Sequence, residues 1–169
     1  PPPLREYSRH DWARLRPLTQ RYKTLRHDAV NAFYVRRGAT AEPVQALVER
    51  LQGRAIVCSV AFNSPWAIDI QCRLMRRYLR GAEYVVADNS NDPAMAARIA
   101  AICADAEVPY LKLPPNPYGA GAESRSHGVA MNWAHRNVVR PARAPVFGFV
   151  DHDIFPTALH VAVAVELKN

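Results

Sequence analysis

The chain has 169 residues, 49% of them apolar, which fits one domain with a substantial core. Lys and Arg number 22 against 15 Asp and Glu, a formal net charge of +7 carried almost wholly by arginine, whose planar fork suits phosphate. The basic residues do not form a compact block with interleaved aromatics, so nucleic acid is not an expected partner, and no apolar run approaches the roughly 20 residues of a membrane helix. The composition is compatible with attachment to a membrane surface. Cys58, Cys72 and Cys103 are well separated and include no C-x-x-C pair, which reads as buried free thiols in a reducing, cytoplasmic setting.

Residues 1–54 read as a basic helical extension, with Arg or Lys at eleven positions. Leu18, Tyr22, Leu25, Ala29 and Phe33 recur at helical spacing, predicting a helix that lays one apolar stripe on the main domain. Pro43 in a first turn, followed by Val44, Leu47, Val48 and Leu51 on one face, predicts a second helix stopped by Gly53.

From 55 to 156 strand and helix alternate. Residues 55–61 form a buried strand. Residues 66–80 form an amphipathic helix with Ile70, Leu74 and Tyr78 inward and Arg73, Arg76, Arg77 and Arg80 outward. A strand at 84–87 ends at Asp88, and Asn91 or Asp92 caps a helix beginning at Pro93, with Met95, Ile99 and Ile102 on its apolar face. Residues 108–113 make a third strand near a sheet edge, because Pro109 cannot donate to a ladder. A Pro- and Gly-rich loop from Pro114 to Gly121 leads to a helix at about 126–137. The strand Val146–Val150 then delivers Asp151. Residues 157–169 are a short tail, in which 158–165 could add one strand. This alternation predicts an α/β fold: a mostly parallel sheet with right-handed crossovers and helices on both faces.

The apolar run Val146–Val150 ends in Asp151-His152-Asp153. If the extended geometry continues past Val150, both carboxylates point the same way at the strand's carboxyl end. Open α/β sheets bind ligands at that edge, and paired carboxylates suit a divalent cation holding phosphates. In the common doubly wound order strand 1 lies between strands 2 and 4, so Phe62-Asn63-Ser64 and Asp151-His152-Asp153 flank one crevice with Asp88 alongside. Each residue also has a plainer role. Asp-x-Asp is common in surface turns, Asp88 can cap a helix, and Phe62 can cover the core. Arg125 can be solvated beside a Ser124 or Ser126 cap, His127 and His135 can be surface or core residues, and Trp133 reads as core.

Together, Val60-Ala61-Phe62-Asn63, the stretch from Val85 to Asp92 and Val150-Asp151-His152-Asp153 resemble the GT-A-fold glycosyltransferases, above all the large inverting family two. The resemblance covers residues 55–156. It implies a Rossmann-like GT-A nucleotide-binding half, a UDP- or GDP-linked sugar donor, a saccharide or other hydroxyl acceptor, and Mn²⁺ or Mg²⁺. It implies that Asp153 coordinates the ion and that Asp151 contacts the ribose, or the metal through water. It likewise puts Asp88 on the nucleobase, with Asn63, Phe62 and Asn89 around the nucleoside. Arg125, at a helix start that favours phosphate, becomes a pyrophosphate or sugar contact. No general base is assigned. Related enzymes continue well past Asp-x-Asp to an acceptor half, whereas this sequence stops at Asn169. The expectation is therefore a fragment, a truncated product or a reduced relative that binds donor without efficient transfer. The alternatives are a catalytically impaired nucleotide-sugar-binding or assembly module and, behind it, a haloacid-dehalogenase-type phosphatase. In the phosphatases the motif usually opens the domain, with Thr or Val where Phe155 stands here. A methyltransferase would want glycines after the first strand, and Phe62-Asn63-Ser64-Pro65 has none.

Overall fold

The computed structural model describes residues 9–118, 122–158 and 160–161, in two units that divide between Phe33 and Tyr34. Helix α1 (Arg9–Arg36) supplies the described part of the first unit. The stripe expected to be buried is open to solvent: Tyr22, Leu25 and Phe33 are 66%, 70% and 68% exposed. Helical spacing identifies a face but not what covers it, and the side chain of Leu18 lies outside the described residues.

The second unit begins at Tyr34 because the last turn of α1 and helix α2 (Glu42–Arg50) belong to its core. Tyr34, Val44, Leu47 and Leu51 are buried there, so α2 is part of the α/β unit rather than of an extension. Pro43 occupies the first turn of α2, and Gly53, at φ +70°, follows its end.

The elements that follow are β1 (Ile56–Ala61), α3 (Pro65–Tyr78), β2 (Leu79–Arg80), β3 (Glu83–Asp88), α4 (Pro93–Asp105), β4 (Tyr110–Lys112), α5 (Glu123–Ala134), β5 (Phe147–Asp151) and β6 (His160–Val161). Helix α5 runs on into a π-helical turn, His135–Val139. Strands β4, β3, β1 and β5 form, in that order, an all-parallel sheet. The first strand therefore lies between the second and the last, as the doubly wound order predicts, and β4 is an outer strand, as Pro109 predicts. β2 and β6 pair separately, and residues 159 and 162–165 of the tail strand expected over 158–165 lie outside the described residues.

Alternation along the strands divides the core. Ile56, Cys58, Val60, Val85, Ala87 and Leu111 face α2 and α5, where Trp133, Val129 and Leu47 are buried. Ala61, Tyr84 and Val86 face α3 and α4 with Ile68, Cys72, Met75, Ile99 and Cys103. All three cysteines are buried and free. Each large apolar side chain sealed in these layers contributes about 1.5–3 kcal/mol. The inward face of α3 differs from expectation. Ile68, Gln71, Cys72 and Met75 are buried, while Ile70, Leu74 and Tyr78 are half-buried. The buried face packs Ile68, Cys72 and Met75 with Ile99 and Cys103 of α4, and the four arginines stay exposed. Among the described residues, no helix is long and apolar enough to cross a membrane.

Candidate functional site

A cavity of about 970 Å³ opens at the carboxyl ends of the parallel strands. Its wall takes Phe62 and Asn63 from the end of β1, Asn89–Asn91 from the end of β3, and Lys112 and Asn116 from β4 and its loop. Ser126 and His127 come from α5, His152 from the turn after β5, and Pro93, Ala96, Ala97 and Ala100 from α4. Strand register explains the convergence. Ala61 pairs with Asp88, Asp88 with Lys112 and Val60 with Asp151, so the four strand ends lie in one row.

Asp88 supports this row from beneath. It is completely buried, with Oδ1 accepting from the Ser90 N–H at 2.8 Å and Oδ2 from the Tyr110 hydroxyl at 2.8 Å. Lys112 Nζ lies 3.5 Å from Oδ2 and donates to the carbonyls of Asp88, at 3.1 Å, and Ser90, at 2.6 Å. Burial, with Asp88 beside it, pushes the Tyr110 phenol above its usual range and keeps it a donor. Both carboxylate oxygens accept from protein donors and the side chain has no exposed surface, so a nucleobase could reach it only if neighbouring groups moved aside.

Asn63 has a left-handed backbone, φ +47°, which asparagine tolerates better than most residues. Its Nδ2 donates to Asn91 Oδ1 at 2.6 Å, its Oδ1 accepts from the Asp92 N–H at 3.2 Å, and its own N–H donates to Ser90 Oγ at 2.9 Å. These bonds fasten the β1 loop to the β3 loop. Asn89 fastens the β3 loop to α5: Nδ2 donates to Ser126 Oγ at 3.1 Å, and Oδ1 accepts from Asn116 Nδ2 at 2.8 Å. Asp92, one of the two predicted caps, accepts from the N–H groups of Ala94 and Met95 at the start of α4.

The Asp-x-Asp segment departs from the extended geometry. β5 includes Asp151, but the chain then turns, with the Ile154 N–H donating to the Asp151 carbonyl at 3.0 Å. Strand alternation therefore does not place Asp153. Gln71, buried in α3, holds the turn: its Nε2 donates to the carbonyls of Asp151, at 2.9 Å, and Ile154, at 2.7 Å, and its Oε1 accepts from the Tyr84 hydroxyl at 2.5 Å. The Asp151 carboxylate is exposed, with Oδ1 lying 3.1 Å from His127 Nε2. Asp153 is exposed too. Neither lines the cavity, though His127 and His152 beside them do. Arg125, on the first turn of α5, is exposed and is not a lining residue. Ala122 stands at the cap position of α5, and Ser126 bonds to Asn89 instead of capping the helix.

Among the described residues, no group of three or more His, Cys, Asp or Glu could hold a metal ion. Two exposed carboxylates near one turn suit Mg²⁺ or Mn²⁺ only in company with oxygens the ion brings, as in a metal–diphosphate pair. Residue-type reasoning missed Lys112, Tyr110, Asn116, His127 and Gln71. Lys112 was within reach, since it closes β4 as Asp88 closes β3. Gln71 also gives a signal, a lone amide among apolar residues on one helix face. No protein-family model matches the chain, and no curated protein or solved structure is significantly similar to it.

Proposed function

We propose that the cavity receives the nucleoside diphosphate of a UDP- or GDP-linked sugar, and that the chain carries the donor site of a metal-dependent glycosyltransferase with a GT-A-like fold. The observation that carries this is the row of strand ends: a largely apolar cavity with side-chain amides and Lys112 in its wall, over the carboxyl edge of a parallel sheet, with an exposed Asp-x-Asp turn at its margin. Its volume is of the size small-molecule and cofactor sites use. Phe62 and the alanines of α4 offer an apolar wall to a base, and Asn91 a side-chain N–H for base or ribose, while Asn63, Asn89 and Asn116 bond to the surrounding loops and fix the wall's shape. Asp151 and Asp153 would hold Mn²⁺ or Mg²⁺ with the diphosphate. Such an ion neutralises charge on the departing nucleoside diphosphate. The reaction is attack of an acceptor hydroxyl on the anomeric carbon, forming a C–O bond as the bond to phosphate breaks.

One observation favours a second class, a nucleotide-sugar-binding or assembly module without efficient transfer. Among the described residues, no Asp or Glu lines the cavity, so none of them stands there as general base. The phosphatase alternative has less support, since among the described residues β5 is the last strand of the four-stranded sheet in sequence and an outer one.

Titration calorimetry with UDP and GDP, with and without Mn²⁺, tests the donor site. One nucleotide should bind in the presence of metal, and Asp153→Ala and Asp151→Ala should remove the metal-dependent part. If neither binds with metal and Asp153→Ala changes nothing, the assignment fails. Transfer to an acceptor would exclude the binding module, whereas slow donor hydrolysis alone would favour it. Release of phosphate from phosphomonoesters, lost in Asp151→Asn, would point to the phosphatase.

A further inference from the structure

Helix α1 carries a surface that the donor site does not use. Tyr22, Leu25 and Phe33 are 66%, 70% and 68% exposed, and Ala29 between them is exposed as well. At 100° per residue these four positions fall within an arc of roughly 80°. Arg21 and Lys23 stand about 100° to either side of Tyr22, and Arg26 borders the stripe. All three are exposed. The opposite face carries Gln20, Thr24 and Asn31, and Asp28 is the only acid between 19 and 33. Large apolar side chains in line along a basic helix mark a surface that something covers.

We infer that this face docks on an anionic lipid bilayer. The stripe enters the boundary between headgroups and acyl chains, where a tyrosine ring keeps its hydroxyl at the polar side. Arg21, Lys23 and Arg26 reach lipid phosphates from the flanks while their stems follow the apolar boundary. Charge selects this occupant over a second copy of the chain. Two such faces brought together would set Arg21, Lys23 and Arg26 against their equivalents, with only Asp28 to offset them. A bilayer rich in phosphatidylserine supplies the missing negative charge. The inference is independent of what fills the cavity.

Co-sedimentation of the full chain with phosphatidylcholine vesicles, with and without phosphatidylserine, tests it. Binding should require phosphatidylserine and weaken as salt rises. Reversing Arg21, Lys23 and Arg26 to Glu should lower partitioning by more than about a hundred-fold, the figure for losing the three attractions alone. Tyr22→Ser, Leu25→Ser and Phe33→Ser together should abolish it, with circular dichroism and thermal melting unchanged, since all three side chains are exposed. Three results would overturn the inference: no binding to phosphatidylserine vesicles, equal binding by the charge-reversed variant, or a concentration-dependent dimer, seen by ultracentrifugation, that the serine variant dissolves and vesicles do not compete away.

Discussion

Gln71→Leu removes the amide that clamps the Asp151–Ile154 turn while keeping a side chain of similar bulk in the α3 core. Three hydrogen bonds go: those to the Asp151 and Ile154 carbonyls and the one from the Tyr84 hydroxyl. The two carbonyls belong to exposed residues and can be rehydrated, so each loss costs about 0.5–1.5 kcal/mol. Tyr84 is only 7% exposed, and its hydroxyl, left with Ser59 as its one neighbouring side-chain partner, costs up to about 1–3 kcal/mol. Leucine's better burial offsets part of this, leaving a net loss of about 2–4 kcal/mol. With a urea slope of about 1–3 kcal/mol per molar, the unfolding midpoint should fall by roughly 1–2 M at unchanged slope. Adding Tyr84→Phe removes that hydroxyl and should recover up to about 1–3 kcal/mol, a coupling that a double-mutant cycle reads directly. Metal-dependent nucleotide binding should not recover with it, because the turn stays unclamped. A single variant within about 0.5 kcal/mol of the parent, or a double variant no more stable than the sum of the singles, would refute this account of Gln71.

Asn63→Ala should destabilise more than Asn63→Gly, by about 1–2 kcal/mol, because both lose the bonds to Asn91 and Asp92 but only alanine resists φ +47°; paired urea titrations measure the difference. Asp88→Asn should cost about 2–4 kcal/mol in the same assay and weaken nucleotide binding, since an amide cannot accept from both Ser90 and Tyr110 while facing the Lys112 ammonium. Burial raises the Tyr34 phenol from 10.0 to about 12 and the Cys58 thiol from 9.0 to about 12. The native state then holds more protons than the unfolded chain between pH 9 and 12, so stability is fully present below that window and falls as pH rises through it. Urea midpoints against pH check the sign, and Tyr34→Phe should flatten the slope at the cost of the bond to the Pro114 carbonyl.

The sheet was legible because its strands are short apolar runs bounded by turn residues, and because parallel connections leave few orders open. That reasoning places Ile56–Ala61 beside Glu83–Asp88 and sends Phe147–Asp151 to the other flank, as observed. Helix faces were less legible. In α3 the spacing of Ile70, Leu74 and Tyr78 is as good as that of Ile68, Cys72 and Met75, and only the tertiary partners, Ile99 and Cys103 of α4, mark which face is buried. The exposed stripe of α1 escaped for the opposite reason: periodicity predicts a face, and exposure depends on what lies against it.

The site residues divide along the same line. Topology brings Asn63, Asp88, Asn89 and the Asp151 turn to one edge, and the sequence order of the strands was enough to foresee that. The work each side chain does there depends on neighbours that residue type does not specify. A carboxylate closing a parallel strand can face outward to a ligand or inward to secure the next loop. Tyr110 and Lys112, one strand over, draw Asp88 inward, whereas Asp151, on an outer strand with a turn directly after it, remains open except to His127. On the proposed donor site, ligand contact on the β3 side would fall to Asn89 and Asn91, in the loop that Asp88 holds through the Ser90 N–H, and charge recognition to the turn that Gln71 holds. On this division Asp88→Asn should weaken metal-free and metal-supported nucleotide binding alike, while Gln71→Leu should weaken only the metal-supported part.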